Sequence, residues 1–204
     1  MKVKHLVGAF LCVLGCYACS SPKTEVQSPD GHIKMTLTVD ENGKPFYNVS
    51  VDDSLLIENS AMGFTAANGI ILSEGFQVKN TTFSSEDETW TQPWGENKKN
   101  RNHYNEMAVS LTNEDQVQLT LRFRVFDDGI GFRYEYTVPT VDSLLITDEL
   151  TTFRFHRDGT SWSIPASAET YELLYQQQPI SEVETANTPF TFKTADGVYG
   201  SIHE

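Results

Sequence analysis

Cysteine is almost absent from this sequence, because all three cysteines lie within the first 19 of the 204 residues. The remainder of the chain has no thiolate for a metal site and no pair for an internal disulfide, so its stability must come from a buried core. Basic residues are also scarce: 15 Lys and Arg stand against 28 Asp and Glu, and the formal net charge is −13. A phosphate backbone requires a basic face, and this balance argues against a nucleic-acid partner.

Long hydrophobic runs are lacking as well. The apolar run over residues 6–14 is too short to span a bilayer as a helix. Lys2 and Lys4 precede it and small residues follow it, which is the arrangement of a secretory signal. We therefore predict a signal peptide over residues 1–18 and a mature domain over residues 19–204.

The end of this signal also resembles that of a bacterial lipoprotein, in which a cysteine after a small residue becomes lipidated. Cys16 after Gly15 and Cys19 after Ala18 both fit, and the small polar residues after Cys19 make the more natural tether. The prediction is a periplasmic or outer-membrane lipoprotein that contacts the membrane only through its lipid. Ordinary cleavage without a lipid is the alternative.

Segments that alternate apolar and polar residues recur along the mature chain. Ile33–Val39 and residues 46–51 flank Asn42-Gly43, and this arrangement predicts a hairpin. A stronger hairpin joins residues 117–126 to residues 130–136. We expect it to form the centre of the core, and we expect its arginines to pair across strands with carboxylates such as Glu135. The fold class predicted is all-β, an antiparallel β-sandwich.

Turn dipeptides punctuate the later runs, at Asn68-Gly69, Asp128-Gly129, Asp158-Gly159 and Asp196-Gly197. The last of these lies within a predicted final hairpin of residues 189–194 and 198–202. The sequence stops directly after that hairpin, which favours a piece of a longer protein.

Residues 167–178 are predicted to form either a short helix capped by Ser167 or an irregular segment.

The segment over residues 90–107 contains two Trp, one Pro, one Gly, three Lys or Arg, one His, one Tyr and two Glu. It shows neither helical nor strand periodicity. We predict a loop laid over the end of the sandwich at a functional surface.

Four motifs, taken in their order, resemble the N-terminal β-supersandwich domain of glycoside hydrolase family 97 over residues 26–204. They are Ser28-Pro29-Asp30-Gly31, then Pro93-Trp94-Gly95-Glu96 with residues 101–106, then residues 123–134, and finally Ser201-Ile202-His203-Glu204. The resemblance implies a galactose-mutarotase-like supersandwich packed on a downstream (β/α)8 barrel. It also implies an exo-acting hydrolase of α-glucosidic or α-galactosidic bonds.

The same resemblance implies a calcium ion in the active site, held mostly by barrel carboxylates and by one carboxylate from the end of this domain. Glu204 occupies that position in the motif. One Glu cannot provide the six to eight oxygens that calcium requires, so the ion would be shared with the barrel. No catalytic residue is assigned within this chain (catalytic: none), because the paired carboxyls of the family would lie beyond residue 204. The alternative for Glu204 is an ordinary solvated carboxylate.

Candidate sugar-binding or domain-interface residues lie in the segment described above: Trp94, Glu96, Arg101, Asn102 and Tyr104. Aromatic faces suit the apolar side of a pyranose, and amide, carboxylate and guanidinium groups suit its hydroxyls. In the alternative, the tryptophans pack against the barrel and Arg101 pairs with Glu96 or Glu106. The histidines, among them His103, lack metal spacing and are predicted to be surface or packing residues.

Two functions from different classes follow. In the first, the chain is the N-terminal domain of a calcium-dependent exo-α-glycosidase acting on an α-linked oligosaccharide, inactive alone. In the second, it is a free-standing, non-catalytic β-sandwich lipoprotein that binds carbohydrate.

Overall fold

The computed structural model describes residues 24–203 of the chain. The predicted signal peptide, its candidate lipidated cysteines and Glu204 lie outside those residues. Apart from two short 3₁₀ helices, Ala67–Gly69 and Ile180–Glu182, the regular elements are strands. In chain order they are β1 (Glu25–Gln27), β2 (Ile33–Val39), β3 (Pro45–Val51), β4 (Ser54–Ala61), β5 (Phe64–Ala66), β6 (Ile71–Leu72), β7 (Gln77–Thr91), β8 (Lys99–Thr112), β9 (Gln118–Phe126), β10 (Gly129–Thr137), β11 (Ile146–Glu149), β12 (Gly159–Ile164), β13 (Gln176–Pro179), β14 (Asn187–Thr194) and β15 (Tyr199–Ile202).

The first sheet has the order β1-β2-β3-β4, and its strands pair antiparallel. The hairpin predicted around Asn42-Gly43 is confirmed as β2 and β3. Gly43 adopts φ +74°, a conformation that glycine accepts without strain. Met35 and Leu37 on β2 and Tyr47 on β3 are buried at alternate positions, as a strand with one solvated face requires.

The second sheet has the order β10-β9-β8-β7 and contains the hairpin predicted to be central. Leu119, Leu121, Phe123 and Val125 on β9 are fully buried, whereas the residues between them reach solvent. Each such side chain contributes on the order of 1.5–3 kcal/mol on burial. This hairpin is therefore confirmed as the centre of the core.

These two sheets face each other, and their apolar residues form one continuous cluster. Aromatic side chains join the layers, with the ring of Tyr47 on β3 5.6 Å from that of Phe132 on β10. The antiparallel β-sandwich predicted from the sequence is confirmed.

Two further sheets complete the fold. One is small, with the order β11-β5-β6, and the other has the order β13-β12-β14-β15. Phe192 on β14 packs edge-on against Phe155 at 4.7 Å, and Phe155 forms an isolated bridge with Ile57 on β4. The last sheet is thereby tied to the first, and the predicted final hairpin is confirmed as β14 and β15.

Residues 167–178 form an irregular segment that leads into β13, which is one of the two predicted alternatives. The Oγ of Ser167 accepts hydrogen bonds from the backbone N–H groups of Glu169 and Thr170, as a helix cap would. No helix follows, because the apolar residues beyond this turn cluster instead of forming a stripe.

The turn predicted at Asp158-Gly159 is wrong. Gly159 is the first residue of β12, and the Oδ1 of Asp158 accepts the N–H of Gly159 at 2.8 Å. A Cβ at Gly159 would lie 2.1 Å from the carbonyl oxygen of Lys193 on β14. Close approach of two strands, not a tight turn, therefore explains this glycine.

Within residues 24–203, no helix has the length and apolar character needed to cross a membrane.

Candidate functional site

The predicted loop over residues 90–107 is mostly strand, so that prediction is wrong. β7 and β8 pair along their whole lengths, and only residues 92–98 connect them. β9 joins β8 only from Tyr104 onward. Residues 87–103 therefore project from the sheet as a two-stranded β7–β8 ribbon. Both of its faces meet solvent, and its strands lack the alternation that a one-sided sheet produces.

The tip of the β7–β8 ribbon presents an indole to solvent. Trp94 is 84% exposed and Glu96 beside it is also exposed. Gly95 between them has φ +123°, which strongly favours glycine. The Nε2 of Gln92 donates to the carbonyl oxygen of Asn97 at 2.8 Å and closes the turn. Hydrogen bonds within the turn thus hold the tip, while the side chain of Trp94 remains almost unpacked.

Arg101 lies on the stem of the β7–β8 ribbon and binds Asp87 on the facing strand. Nε donates to Oδ1 at 2.7 Å and Nη2 donates to Oδ2 at 2.8 Å. The hydrogen bond from Arg101 lowers the pKa of Asp87 and keeps it charged. The predicted partners of Arg101, Glu96 and Glu106, are therefore wrong. Next along β8, the Nδ2 of Asn102 donates to the Oε1 of Glu88 at 3.0 Å.

Tyr104 stands at the base of the β7–β8 ribbon and is buried. Its ring centre lies 5.3 Å from that of Phe126 and 4.4 Å from the guanidinium carbon of Arg124. This cation–π contact and the aromatic pair bind the base of the ribbon to β9.

Four of the five candidate residues accordingly lie on the β7–β8 ribbon, and the fifth lies at its base. Trp94 and Glu96 lie at the tip, Arg101 and Asn102 on the stem, and Tyr104 in the packed sheet. They do not converge on one enclosed pocket. The arrangement is a projecting arm whose tip offers an aromatic face and whose stem offers polar groups.

Glu106, at the base of the ribbon, is a buried carboxylate that the sequence does not identify as a site residue. Glu106 is 7% exposed, and its two oxygens accept hydrogen bonds from Arg122 at 2.5 Å and Arg124 at 2.7 Å. Arg122 also binds Glu135, with Nε 3.0 Å from Oε1, so the predicted pairing of Glu135 with an arginine is confirmed. Arg133 approaches the same oxygen at 2.6 Å. These residues form a charge network on the outer face of the second sheet.

Electrostatics hold this network ionised. Burial raises the pKa of Glu106, but the hydrogen bonds and charges of Arg124 and Arg122 outweigh it and leave that pKa below its ordinary value. The hydrogen bond from Arg122 likewise lowers the pKa of Glu135. The sequence carries a signal for the position of Glu106, because residues two apart on a strand point to the same face. Glu106 therefore shares the outer face with Tyr104, whereas Met107 begins the face that is buried in the core.

Turns at one end of the sandwich bring acidic and histidine side chains to the base of the ribbon. The backbone N–H of Asp30 donates to the Oδ1 of Asp127 at 2.9 Å, and the Nδ1 of His103 lies 3.7 Å from Oδ2 of the same carboxylate. His32 binds Asp52, and this hydrogen bond raises the pKa of His32. These contacts link the turns to the ribbon. His32 and His103 thus occupy surface and packing positions, as predicted from the sequence.

An open groove of about 660 Å³ lies between β1, with the turn that follows it, and the edge of β7. Phe83 lies half-exposed on its wall, and the Nδ2 of Asn105 crosses it to donate to the carbonyl oxygen of Gln27 at 2.9 Å. Three carboxylates line this open groove, those of Glu25, Asp30 and Glu106, and Arg122 and Arg124 neutralise the last of them.

Metal-binding groups are not assembled in the part of the chain that the structure describes. No three His, Cys, Asp or Glu side chains of residues 24–203 come together as a metal site. Glu204 lies outside those residues, directly after His203.

Comparison with known proteins gives a family match. A model of the family described as "Glycosyl-hydrolase 97 N-terminal" matches residues 26–204. Two solved structures of a glycoside hydrolase family 97 enzyme from Pseudoalteromonas sp. strain K8, one in complex with panose and one with acarbose, are each 39% identical to this chain with a TM-score of 0.80. Each comparison covers 88% of this chain and 28% of that enzyme.

A curated relative, a retaining α-galactosidase from Bacteroides thetaiotaomicron, is 28% identical over 133 residues. That alignment covers 65% of this chain and 19% of the relative. The chain therefore spans about a fifth of one matched protein and little more than a quarter of the others.

Proposed function

The chain belongs to the glycosyl-hydrolase 97 N-terminal family, and on this premise we propose that it is the N-terminal domain of a calcium-dependent exo-α-glycosidase. The family match over residues 26–204 is the observation that carries the proposal. The solved relatives hold panose or acarbose, and the curated relative is a retaining α-galactosidase. The substrate proposed is accordingly an α-linked oligosaccharide, either a glucoside or a galactoside.

Bond cleavage is assigned to a downstream (β/α)8 barrel of the parent enzyme. Glycoside hydrolysis requires one carboxylic acid that keeps its proton near neutral pH and a second carboxylate across the scissile bond. Glu106, a buried carboxylate of this domain, has the opposite property, because its arginine partners lower its pKa. It is suited to holding the sheet together and not to protonating a leaving group.

The β7–β8 ribbon is proposed to form a wall of the sugar pocket or of the surface that meets the barrel. Trp94 at its tip has a free aromatic face, which suits the apolar side of a pyranose. Glu96, Asn102 and the N–H groups that Arg101 does not use for Asp87 suit sugar hydroxyls. Tyr104 supports the ribbon from inside the sheet.

This chain could bind calcium only if it shared the ion with another domain. The described residues provide no cluster for it, and Glu204, two positions along the sequence from the last residue of β15, would supply one carboxylate. Six to eight oxygens are needed, so the barrel would supply the others. When bound, the ion would contribute fixed positive charge beside the substrate. The domain's part is then to supply this one carboxylate.

We further propose that the parent enzyme is exported and held at the membrane by a lipid on Cys19. The support is the signal-like order of residues 1–21, with basic residues, an apolar run and then small residues before the cysteine.

The second candidate, a free-standing carbohydrate-binding lipoprotein, is favoured by one observation. Trp90 and Trp94 both remain substantially exposed on the β7–β8 ribbon, and a sugar-binding platform needs such exposed rings.

The test is hydrolysis of aryl α-glucosides and aryl α-galactosides by the parent enzyme and by this 204-residue chain, each with and without a chelator. We expect chelator-sensitive hydrolysis by the parent and none by the chain alone. Hydrolysis by the isolated chain, or an inactive parent that still binds α-linked oligosaccharides, would reject the proposal, and the second result would favour the binding protein.

A further inference from the structure

Residues 171–175, with the sequence Tyr-Glu-Leu-Leu-Tyr, form the most solvent-exposed apolar stretch of the irregular connection between β12 and β13. Leu174 is 89% exposed, Tyr171 is 74% exposed, and the other three residues are exposed as well. None of them belongs to the hydrophobic core. Connections of this kind are ordinarily polar, and a contiguous exposed apolar stretch marks an interaction surface.

The position of this 171–175 segment suggests what covers it. The segment leads directly into β13, one edge of the sheet whose other edge is β15. Three strand spacings, about 14 Å, separate those edges. β15 ends at Ile202, so polypeptide that continues beyond residue 203 starts from this same sheet. Tyr199 on β15 is exposed too, with the ammonium of Lys193 4.8 Å from its ring centre.

We propose that the 171–175 segment is a docking surface for the domain that follows residue 204 in the parent enzyme. This proposal rests on the proposed function, and it adds a specific interface that adjoins a different sheet from that of the β7–β8 ribbon. We choose an attached domain as the occupant because this chain covers only 28% of each solved enzyme that it matches. A covalently attached domain meets the segment at high effective concentration.

The chemistry of the segment favours a protein surface over a sugar. Leu173 and Leu174 at its centre offer no hydrogen bond to hydroxyl groups, and they suit an apolar pocket. Tyr171 and Tyr175 at its two ends combine a large apolar ring with a hydroxyl that reaches the wet rim of an interface.

Hydroxyl-radical footprinting of the 204-residue chain and of the parent enzyme tests the placement. Tyr171 and Tyr175 should be modified rapidly in the short chain and several-fold more slowly in the parent. Leu145, which is 69% exposed on another sheet's connection, is the internal control and should react equally in both. Equal modification of the two tyrosines in the short chain and the parent would overturn the proposal. Protection that appears in the short chain at high concentration would assign the surface to a second copy and would overturn it too.

A pair of matched variants provides a second readout. Leu174→Ser should lower the thermal midpoint of the parent by about 2 °C or more while leaving that of the short chain unchanged, because the side chain touches no core residue. Leu145→Ser should change neither protein. An equal effect of Leu174→Ser on both proteins, or none on either, would contradict docking.

Failure of this proposal can be distinguished from failure of the proposed function. Activity is measured on the same parent preparation. An active parent with freely reactive tyrosines would refute docking alone, whereas an inactive parent with protected tyrosines would refute the glycosidase and support docking.

Discussion

Arg101 holds Asp87 across the β7–β8 ribbon through two parallel hydrogen bonds of 2.7 and 2.8 Å. The fork of the guanidinium matches the carboxylate, so this geometry fixes the plane of the arginine. Both side chains are more than half exposed to solvent. The pair therefore positions a donor on the stem more than it stabilises the fold.

Replacing Arg101 by Lys should separate these two roles. Lysine keeps the charge but cannot form the two parallel bonds. In the parent enzyme we expect a raised KM for an aryl α-glycoside with little change in kcat, and in the 204-residue chain we expect an unchanged thermal midpoint. Steady-state kinetics and thermal denaturation make the two measurements.

Asp87→Asn is the matched control, because it removes the partner while leaving the arginine. It should raise KM less than Arg101→Lys does. If neither variant alters KM, the stem does not border the sugar pocket.

Glu106 provides the second prediction, which concerns acid stability. Its pKa is lower in the folded chain than in the unfolded chain, so its contribution to stability is fully present above its ordinary pKa of 4.5 and is lost as the pH falls through the folded value. Glu106→Gln should cost about 2 kcal/mol at pH 7, since two charge-assisted hydrogen bonds are weakened in a largely buried place. Urea denaturation at pH values from about 3 to about 7, roughly the range over which a carboxylate titrates, measures this loss and its dependence on pH.

The variant should also show a flatter loss of stability in acid than the wild type. Glu114→Gln, an exposed position in the β8–β9 turn, is the control and should retain the wild-type slope. A wild-type slope in Glu106→Gln would mean that other carboxylates control the acid transition.

The fold was predictable from sequence where one face of a strand is buried. β9 alternates apolar and polar residues along its length because its neighbours cover one side only, so its extent and its burial follow from the pattern. β7 and the first residues of β8 face solvent on both sides. There the strands are defined by backbone pairing alone, and the sequence of side chains shows no alternation from which they could be predicted.

A third prediction concerns Gly43, which combines positive φ with close contact. A Cβ at this position would lie 2.3 Å from the backbone nitrogen of Phe76, whose N–H donates to the carbonyl oxygen of Gly43 at 3.0 Å. Gly31 has a similar φ of +81° but open space around it. Gly31→Ala should therefore report the conformational cost alone, about 1 kcal/mol.

Gly43→Ala should cost more than Gly31→Ala, because backbone atoms of Phe76 must move in addition. Urea denaturation of both variants measures the difference in unfolding free energy. Equal losses would show that the chain relaxes freely around residue 76.

The fourth prediction tests the core. Leu121 on β9 is fully buried between the two sheets. Leu121→Ala should destabilise the chain by about 2–5 kcal/mol, from lost burial and the cavity that remains. Leu174→Ala removes the same atoms from an exposed side chain and should cost almost nothing in the 204-residue chain. Comparable losses in the two variants would mean that residue 174 is packed in solution.

The sequence indicates candidate residues but not their geometry. The composition of residues 90–107 predicts a functional surface that includes Trp94 and Arg101, and the structure places both residues on the β7–β8 ribbon. The partner of Arg101 could not be deduced, because the diagonal contact with Asp87 depends on the register of β7 against β8. Register is weakly specified by sequence when both faces of a ribbon are polar.

The last prediction concerns Glu204, the residue on which the calcium proposal depends. In the parent enzyme, Glu204→Gln keeps the shape of the side chain and removes its charge. Calcium affinity measured by titration calorimetry should fall by about tenfold or more, because a hard cation with six to eight oxygen ligands loses one anionic ligand. The activity should fall in parallel and should recover in part at high calcium concentration. Glu184→Gln, at an exposed position before β14, is the control and should leave both quantities unchanged. A Glu204→Gln enzyme with unchanged calcium affinity would remove this residue from the ion's ligands and leave the domain with a purely architectural part in the site.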